Sequence, residues 1–146
     1  MCIRDRDAYD ADVLIYAAVD GHQLGRRVRA LFADESLPDA AGPTRIGSVM
    51  LVPELLSKPT RVGSHDERSS LTALLSRMEL LPTDLATAEL AASLGAIYGL
   101  RASDAVHLAT AVGAGADRFI TNNKKDFPRS IAEVMVTYPG DLDDPE

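Results

Sequence analysis

The chain has 146 residues, 46% of them hydrophobic, and 22 acidic side chains against 15 Lys or Arg give a formal net charge of −7. That size and apolar content fit a single domain burying about two-thirds of its unfolded surface, while no apolar stretch reaches the roughly 18 to 20 residues of a membrane-spanning helix. The lone Cys2 excludes an internal disulfide and a thiolate metal site. The N-terminus lacks the apolar centre of a secretory signal, so a soluble, cytoplasmic protein without membrane contact is expected. The acidic balance weighs against a surface built throughout for nucleic acid. Basic residues are nevertheless grouped at Arg26-Arg27-Arg29, Lys58 to Arg61 and Lys124 to Arg129, which as single groups read as solvated faces and together allow a basic rim.

In chain order, residues 1–7 (MCIRDRD) alternate charge without apolar periodicity and read as a foreign or disordered leader. Val13, Leu14 and Ile15 form a short apolar run directly after Asp10 and Asp12. Leu24, Val28, Leu31 and Phe32 then recur at helical spacing and predict a helix over about residues 22–34. LPDAAGP reads as a loop and TRIGS as a brief strand ending at Ser48. Ser48 is a candidate N-cap for the helix VMLVPELL, in which Pro53 calls for a kink or a late start.

SKPTRVG reads as another loop, and Ser64 with Glu67 forms a capping-box pattern that opens a helix burying Leu71, Leu74, Leu75 and Met78. ELLP predicts a strand, and residues 83–99 a helix begun by Thr83 or Asp84 and stopped near Gly99. A further helix over RASDAVHLATAVGAGA is given Ser103 as its cap. DRFIT and VMVTY are the last strand candidates, and residues 139–146 an acidic tail expected to fray. Alternating short strands and helices predict an α/β domain over residues 8–138, with a mostly parallel sheet of four to five strands and helices on both faces.

In such a sheet the ligand site lies at the carboxyl ends of the strands, near a reversal of strand order. Acids fall at that edge in four separate segments: Asp10 and Asp12, Glu54, Asp104, and Asp126 beside Asn123. Singly each has an ordinary explanation. Asp10 or Asp12 could be an N-cap, Asp104 a helix-dipole partner, Glu54 an exposed helix residue and Asp126 a turn acid. Together they repel one another unless a cation neutralises them, and oxygen-only ligands suit a hard ion, Mg²⁺ or Mn²⁺. The usual work of such an ion is phosphate chemistry. His107 lies one turn beyond Asp104 on the same face, and reads as a packed or capping histidine more readily than as a substrate contact.

DADVLIYA (10–17), SVMLVPELL (48–56) and LRASDAVHLATAVGAGADRFITNNKKDF (100–127) resemble, in order and spacing, PIN-domain ribonucleases of the VapC toxin type. The third motif is long and specific, and the resemblance spans about residues 9–138. It implies a PIN fold and a Mg²⁺- or Mn²⁺-dependent endoribonuclease, acting as the toxin of a type II toxin–antitoxin pair. A VapB-like antitoxin would then be its partner, inserting Arg or Lys into the acidic pocket, and a homodimer is expected. Carried over, Asp10 and Asp104 become metal ligands assisted by Glu54, with Asn123 standing where relatives carry a fourth acid and Asp126 able to substitute for it. Asp12, Ser48 and Thr121 would support these groups, while Lys124, Lys125, Arg129 and Arg101 would contact RNA phosphates. Exposed leucines on the helices around 22–34 and 64–78 would serve the antitoxin or the dimer.

Two other readings compete. Asn123, Pro53 and the short apolar run before Asp10 favour a PIN-fold module that binds antitoxin or RNA without cutting. DADVL also allows a phosphatase in which Asp10 is the nucleophile and Asp12 the acid, although the Lys and Ser/Thr elements of that chemistry are missing.

Overall fold

The computed structural model describes residues 6–33 and 45–145. Among them, five strands form one all-parallel sheet in the order β3-β2-β1-β4-β5: β1 Asp7–Tyr9, β2 Arg45–Ser48, β3 Glu79–Leu81, β4 Arg118–Ile120 and β5 Met135–Thr137. The chain leaves β1 for β2 and β3 on one side, then returns to lay β4 and β5 on the other. Strand order therefore reverses at β1 and β4, and this is where the connections diverge to leave a crevice.

Because side chains alternate along a strand, each face of the sheet gathers its own core. Ala8, Ile46, Phe119 and Val136 pack against α5 (Leu85–Tyr98) and α6 (Ala102–Gly113). Tyr9 and Ile120 face the other way, towards α1 (Ala11–Ala17), α2 (Gln23–Ala30), α3 (Leu51–Val62) and α4 (His65–Leu75). At the start of the sheet, Arg118 donates two hydrogen bonds of 2.8 Å to Asp7, tying β4 to β1.

Several sequence expectations are corrected. Asp7, assigned to the leader, is the first residue of β1, and the Arg6 amide donates to the Asp117 carboxylate at 2.8 Å; residues 1–5 lie outside the described residues, as does the loop LPDAAGP. The tail beyond 138 does not fray at its start. It forms a 3-10 turn, Pro139–Asp141, followed by Leu142 buried in the core, with Arg27 donating to the carbonyls of Gly140 and Leu142.

Residues 57–63, read as a loop, continue α3 through the buried Pro59 to Val62, and Gly63 ends the helix with φ +73°. The helix starts late, as Pro53 called for: it begins at Leu51 and not directly after Ser48, which leaves Pro53 as its third residue, where the missing N–H had no partner to lose. Ser64 does precede α4, but its side chain makes no cap, and its backbone N–H, which Glu67 would have taken, already donates to the Pro59 carbonyl. The last long helix starts one residue earlier than Ser103, after an extended Arg101. Leu71, Leu74 and Leu75 are buried, so the leucines of α4 offer no exposed docking face; the exposed large apolar side chains include Ile15, Val19, Val49 and Met50.

The orientation of α1 depends on one close approach. A Cβ at Gly25 of α2 would stand 1.9 Å from the Tyr16 carbonyl oxygen, so only glycine lets α2 cross there. Beside it, His22 caps α2 by accepting from the Gly25 N–H at 3.0 Å and stacks on Tyr16 at 4.4 Å. Gly25→Ala is expected to destabilise the protein by about 1–3 kcal/mol or more through this overlap, read as a lower midpoint in urea unfolding.

Candidate functional site

Asp10 follows β1 immediately and is 6% exposed. Its backbone N–H donates to the Ile120 carbonyl at 2.9 Å, so the residue still belongs to the sheet while its side chain caps α1. One carboxylate oxygen accepts from the Ala11 N–H at 2.8 Å and the other from the Thr121 hydroxyl at 2.8 Å. Burial raises the Asp10 pKa, with Glu54 adding to the rise, while His107 and the two hydrogen bonds pull it down without cancelling that rise.

Asp12, in the first turn of α1, accepts from the Asn122 backbone N–H at 3.1 Å and so fixes the end of β4 to α1. Its other oxygen is buried without a partner. Burial, then the charges of Asp10 and Asp104, push its pKa up to about 7.

Asp104 arrives from the other face. A helix that feeds a parallel strand must run back across the sheet, so α6, which leads into β4, begins at the carboxyl edge. Asp104 is the third residue of α6. Its pKa is raised by burial, by Asp10 and Asp126, and to a smaller extent by Glu54, with His107 opposing. These couplings bring Asp10, Asp12, Glu54, Asp104 and Asp126 into one electrostatic unit, drawn from α1, α3, α6 and the segment after β4.

Asn123, the departure from the acidic pattern, holds its neighbour acid in place. Its side-chain amide donates to Asp126 at 2.9 Å, and its own backbone N–H donates to the Thr121 hydroxyl oxygen at 3.1 Å. Thr121 therefore joins Asp10 to this turn. Ser48 accepts from the Met50 N–H at 3.0 Å, shaping the turn that leads into α3 and Glu54 rather than capping the helix from its first residue.

Glu54 does not stand free on its helix. The buried His107 ring donates from Nε2 to the Glu54 Oε1 at 2.7 Å, joining α6 to α3. Burial lowers the His107 pKa, but the Glu54 hydrogen bond and charge, with Asp10 and Asp104, outweigh it and leave it raised. Sequence reasoning treated His107 as packing; its i+3 spacing from Asp104 was the available signal, and its partner could not be read without the fold.

The basic residues divide. Arg129 donates to Asp141 at 2.8 Å and lies 4.5 Å over the Tyr138 ring, while the Lys124 ammonium lies 5.2 Å from the same ring. Lys125 and Arg101 are exposed.

Among the described residues, no three His, Cys, Asp or Glu side chains already converge as a finished metal shell. The donor set nonetheless fits a hard divalent cation. It consists of carboxylates with an amide carbonyl beside them, their charges raise one another's pKa values, and a buried Asp12 oxygen lacks a donor. A carboxylate oxygen that accepts one hydrogen bond keeps a second lone pair for an ion.

The family model for the PIN domain matches residues 9–131. The chain belongs to the PIN domain family. PIN domains are generally nucleases that use divalent metal ions. No curated protein matches in sequence. Among solved structures, a toxin–antitoxin complex from Klebsiella pneumoniae aligns with TM-score 0.69 at 24% identity, covering 91% of this chain and 97% of that one. VapBC2 from Rickettsia felis, bound to a DNA fragment from its promoter, gives 0.68 at 16% identity, covering 90% and 97%. VapBC-5 from Mycobacterium tuberculosis gives 0.54 at 23%, covering 91% and 98%. At these identities the likeness establishes the PIN fold. No helix among the described residues is long and apolar enough to cross a membrane.

The raised carboxylates of this PIN domain carry a sign. A group that binds its proton more tightly in the folded state makes stability fall as pH rises from its unfolded pKa through its folded one. For Asp12 that window runs from the ordinary carboxylate range to about 7; Asp10 and Asp104 act in the same direction, and His107 extends the loss above the ordinary histidine value. The metal-free protein is therefore expected to melt higher near about pH 5 than near about pH 8. Mg²⁺ or Mn²⁺ should restore much of the difference at the higher pH, checked by thermal melts across pH with and without the ion.

Proposed function

We propose that this PIN domain is a Mg²⁺- or Mn²⁺-dependent endoribonuclease and the toxin of a VapBC-type toxin–antitoxin pair, acting in the cytoplasm. The observation that carries the reading is the buried Asp10 at the reversal of strand order, with its charge acting on Asp104 and that of Glu54 on both. The toxin–antitoxin complexes among the solved structures of the same fold support the partner assignment. PIN membership sets aside the aspartyl-phosphatase reading, and Asp10, whose two oxygens each accept one hydrogen bond, would serve as a ligand and not as a nucleophile.

Asp10 and Asp104 would hold the ion, with Glu54 and Asp126 completing the acidic side and Asn123 orienting Asp126. When bound, such an ion would polarise a phosphoryl oxygen and lower the pKa of a water so that hydroxide is available at neutral pH. The protein's own residues supply position. Thr121 and the Ala11 N–H fix Asp10, Asp12 fixes the turn after β4, and Lys124, Lys125 and Arg101 offer charges for the phosphates of a single-stranded RNA. Arg129 is exposed but paired with Asp141, which would partly neutralise the charge it offers to RNA while leaving its other N–H donors available.

Asn123 favours a second reading, a PIN-fold module that engages antitoxin or RNA without cutting, because it supplies no charge where a fourth acid would stand. Cleavage of mixed single-stranded and structured RNA by purified, antitoxin-free protein separates the two. The nuclease reading expects Mg²⁺- or Mn²⁺-dependent cutting abolished by EDTA, and a loss on the order of 10²-fold or more in Asp10→Asn and Asp104→Asn. RNA binding by folded wild type with no cutting would establish the binding module instead.

A further inference from the structure

The His107–Glu54 hydrogen bond joins α6 to α3 across the site. Glu54 sits in the first turn of α3, its side chain 32% exposed, whereas His107 is in the middle of α6 with its side chain 1% exposed. The histidine is thus the immobile partner. It is packed among the helix residues of one core while its Nε2 reaches out to the carboxylate at 2.7 Å. A glutamate on a solvated helix turn otherwise samples many rotamers, each χ angle moving its oxygens by ångströms.

Asp104 and His107 are three positions apart, so His107 lies about 4.5 Å further along the same helix face. A Glu54 bound to that ring is near enough to Asp104 for its charge to act on that carboxylate. The remaining ring nitrogen, Nδ1, is buried without a partner, so no competing hydrogen bond turns the ring away from Glu54. Ligating carboxylates are commonly oriented in this way by a neighbouring donor, and loss of such a donor lowers metal affinity about 10–100-fold.

We propose that His107 is a positioning residue that presents Glu54 to the divalent ion, setting the separation between the α3 and α6 carboxylates. The inference rests on the metal-centre reading and adds a role for a residue that touches neither ion nor RNA. In the neutral Nε2–H tautomer and in the charged form alike, the same N–H makes the contact.

The test is Mn²⁺ binding, followed by the loss of the free-ion electron paramagnetic resonance signal, in wild type, His107→Leu, His107→Gln, Glu54→Gln and the His107→Leu/Glu54→Gln double variant, with circular dichroism to verify folding. His107→Leu should weaken Mn²⁺ about 10–100-fold. His107→Gln, whose amide can still donate to Glu54, should recover most of that loss, and His107→Leu should cost nothing further once Glu54→Gln is present. Unchanged or tighter Mn²⁺ binding in a folded His107→Leu protein would overturn the inference while leaving the metal centre intact. No Mn²⁺ binding by wild type would remove the metal centre and the inference with it.

Should His107→Leu fail to fold, the wild-type protein carries the test. The His107 ring resonances should shift with added Mg²⁺ as the site fills, and this shift should be lost in Glu54→Gln. Ring resonances that stay fixed as Mg²⁺ saturates the wild type would overturn the inference.

Discussion

A carboxylate buried where a parallel sheet reverses its strand order has to be held by donors that cannot move away. Asp10 meets this condition through the Ala11 N–H and the Thr121 hydroxyl, one from the helix that follows β1 and one from the end of β4. The two donors favour its charged form, yet burial outweighs them. The site therefore carries an electrostatic deficit that a cation would relieve, and the rest of the architecture is arranged around that point. Asp12 ties β4 to α1, α6 starts beside Asp10 because it must run back to feed β4, and Ser48 shapes the turn that delivers Glu54. Charge repulsion among these acids is tolerated because the apolar cores on both faces hold the elements in place.

Much of this was legible in the sequence for a physical reason. Period-two and continuous apolar runs bounded by turn residues mark the strands ending at Ser48, Leu81, Ile120 and Thr137, and a parallel α/β sheet can place acids that follow its strands only at one edge. Asp10, Glu54 and Asp104 fall there by topology alone. Local signals failed where tertiary partners intervened. SKPTRVG looked like a loop, but Pro59 is buried and α3 runs through it to Val62, with Gly63 as its cap. Ser64 and Glu67 had the spelling of a capping box, but the backbone N–H that Glu67 needed was taken by Pro59.

The ends of the chain show the same limit. Composition made residues 139–146 look unable to pack, yet Leu142 is buried, and Arg26 and Arg27 on α2 hold the acidic segment through Asp144 and backbone carbonyls. Asp7 looked like part of a charged leader until Arg118, 111 residues later, supplied its partner. His107 belongs to this class as well. A lone histidine on an apolar helix face reads as packing, and only the approach of α3 reveals what its Nε2 does. Residues whose roles depend on distant partners stay hidden from periodicity, whereas residues placed by strand order do not.

On this reading, the acids at the reversal of strand order form a divalent-cation site. Its most direct test is anomalous diffraction from crystals of the protein grown with Mn²⁺. An anomalous peak is expected among Asp10, Asp104 and Glu54, absent in Asp10→Asn crystals. Mn²⁺ bound only elsewhere on the surface, or no peak at saturating Mn²⁺ in crystals where these side chains are ordered, would contradict it.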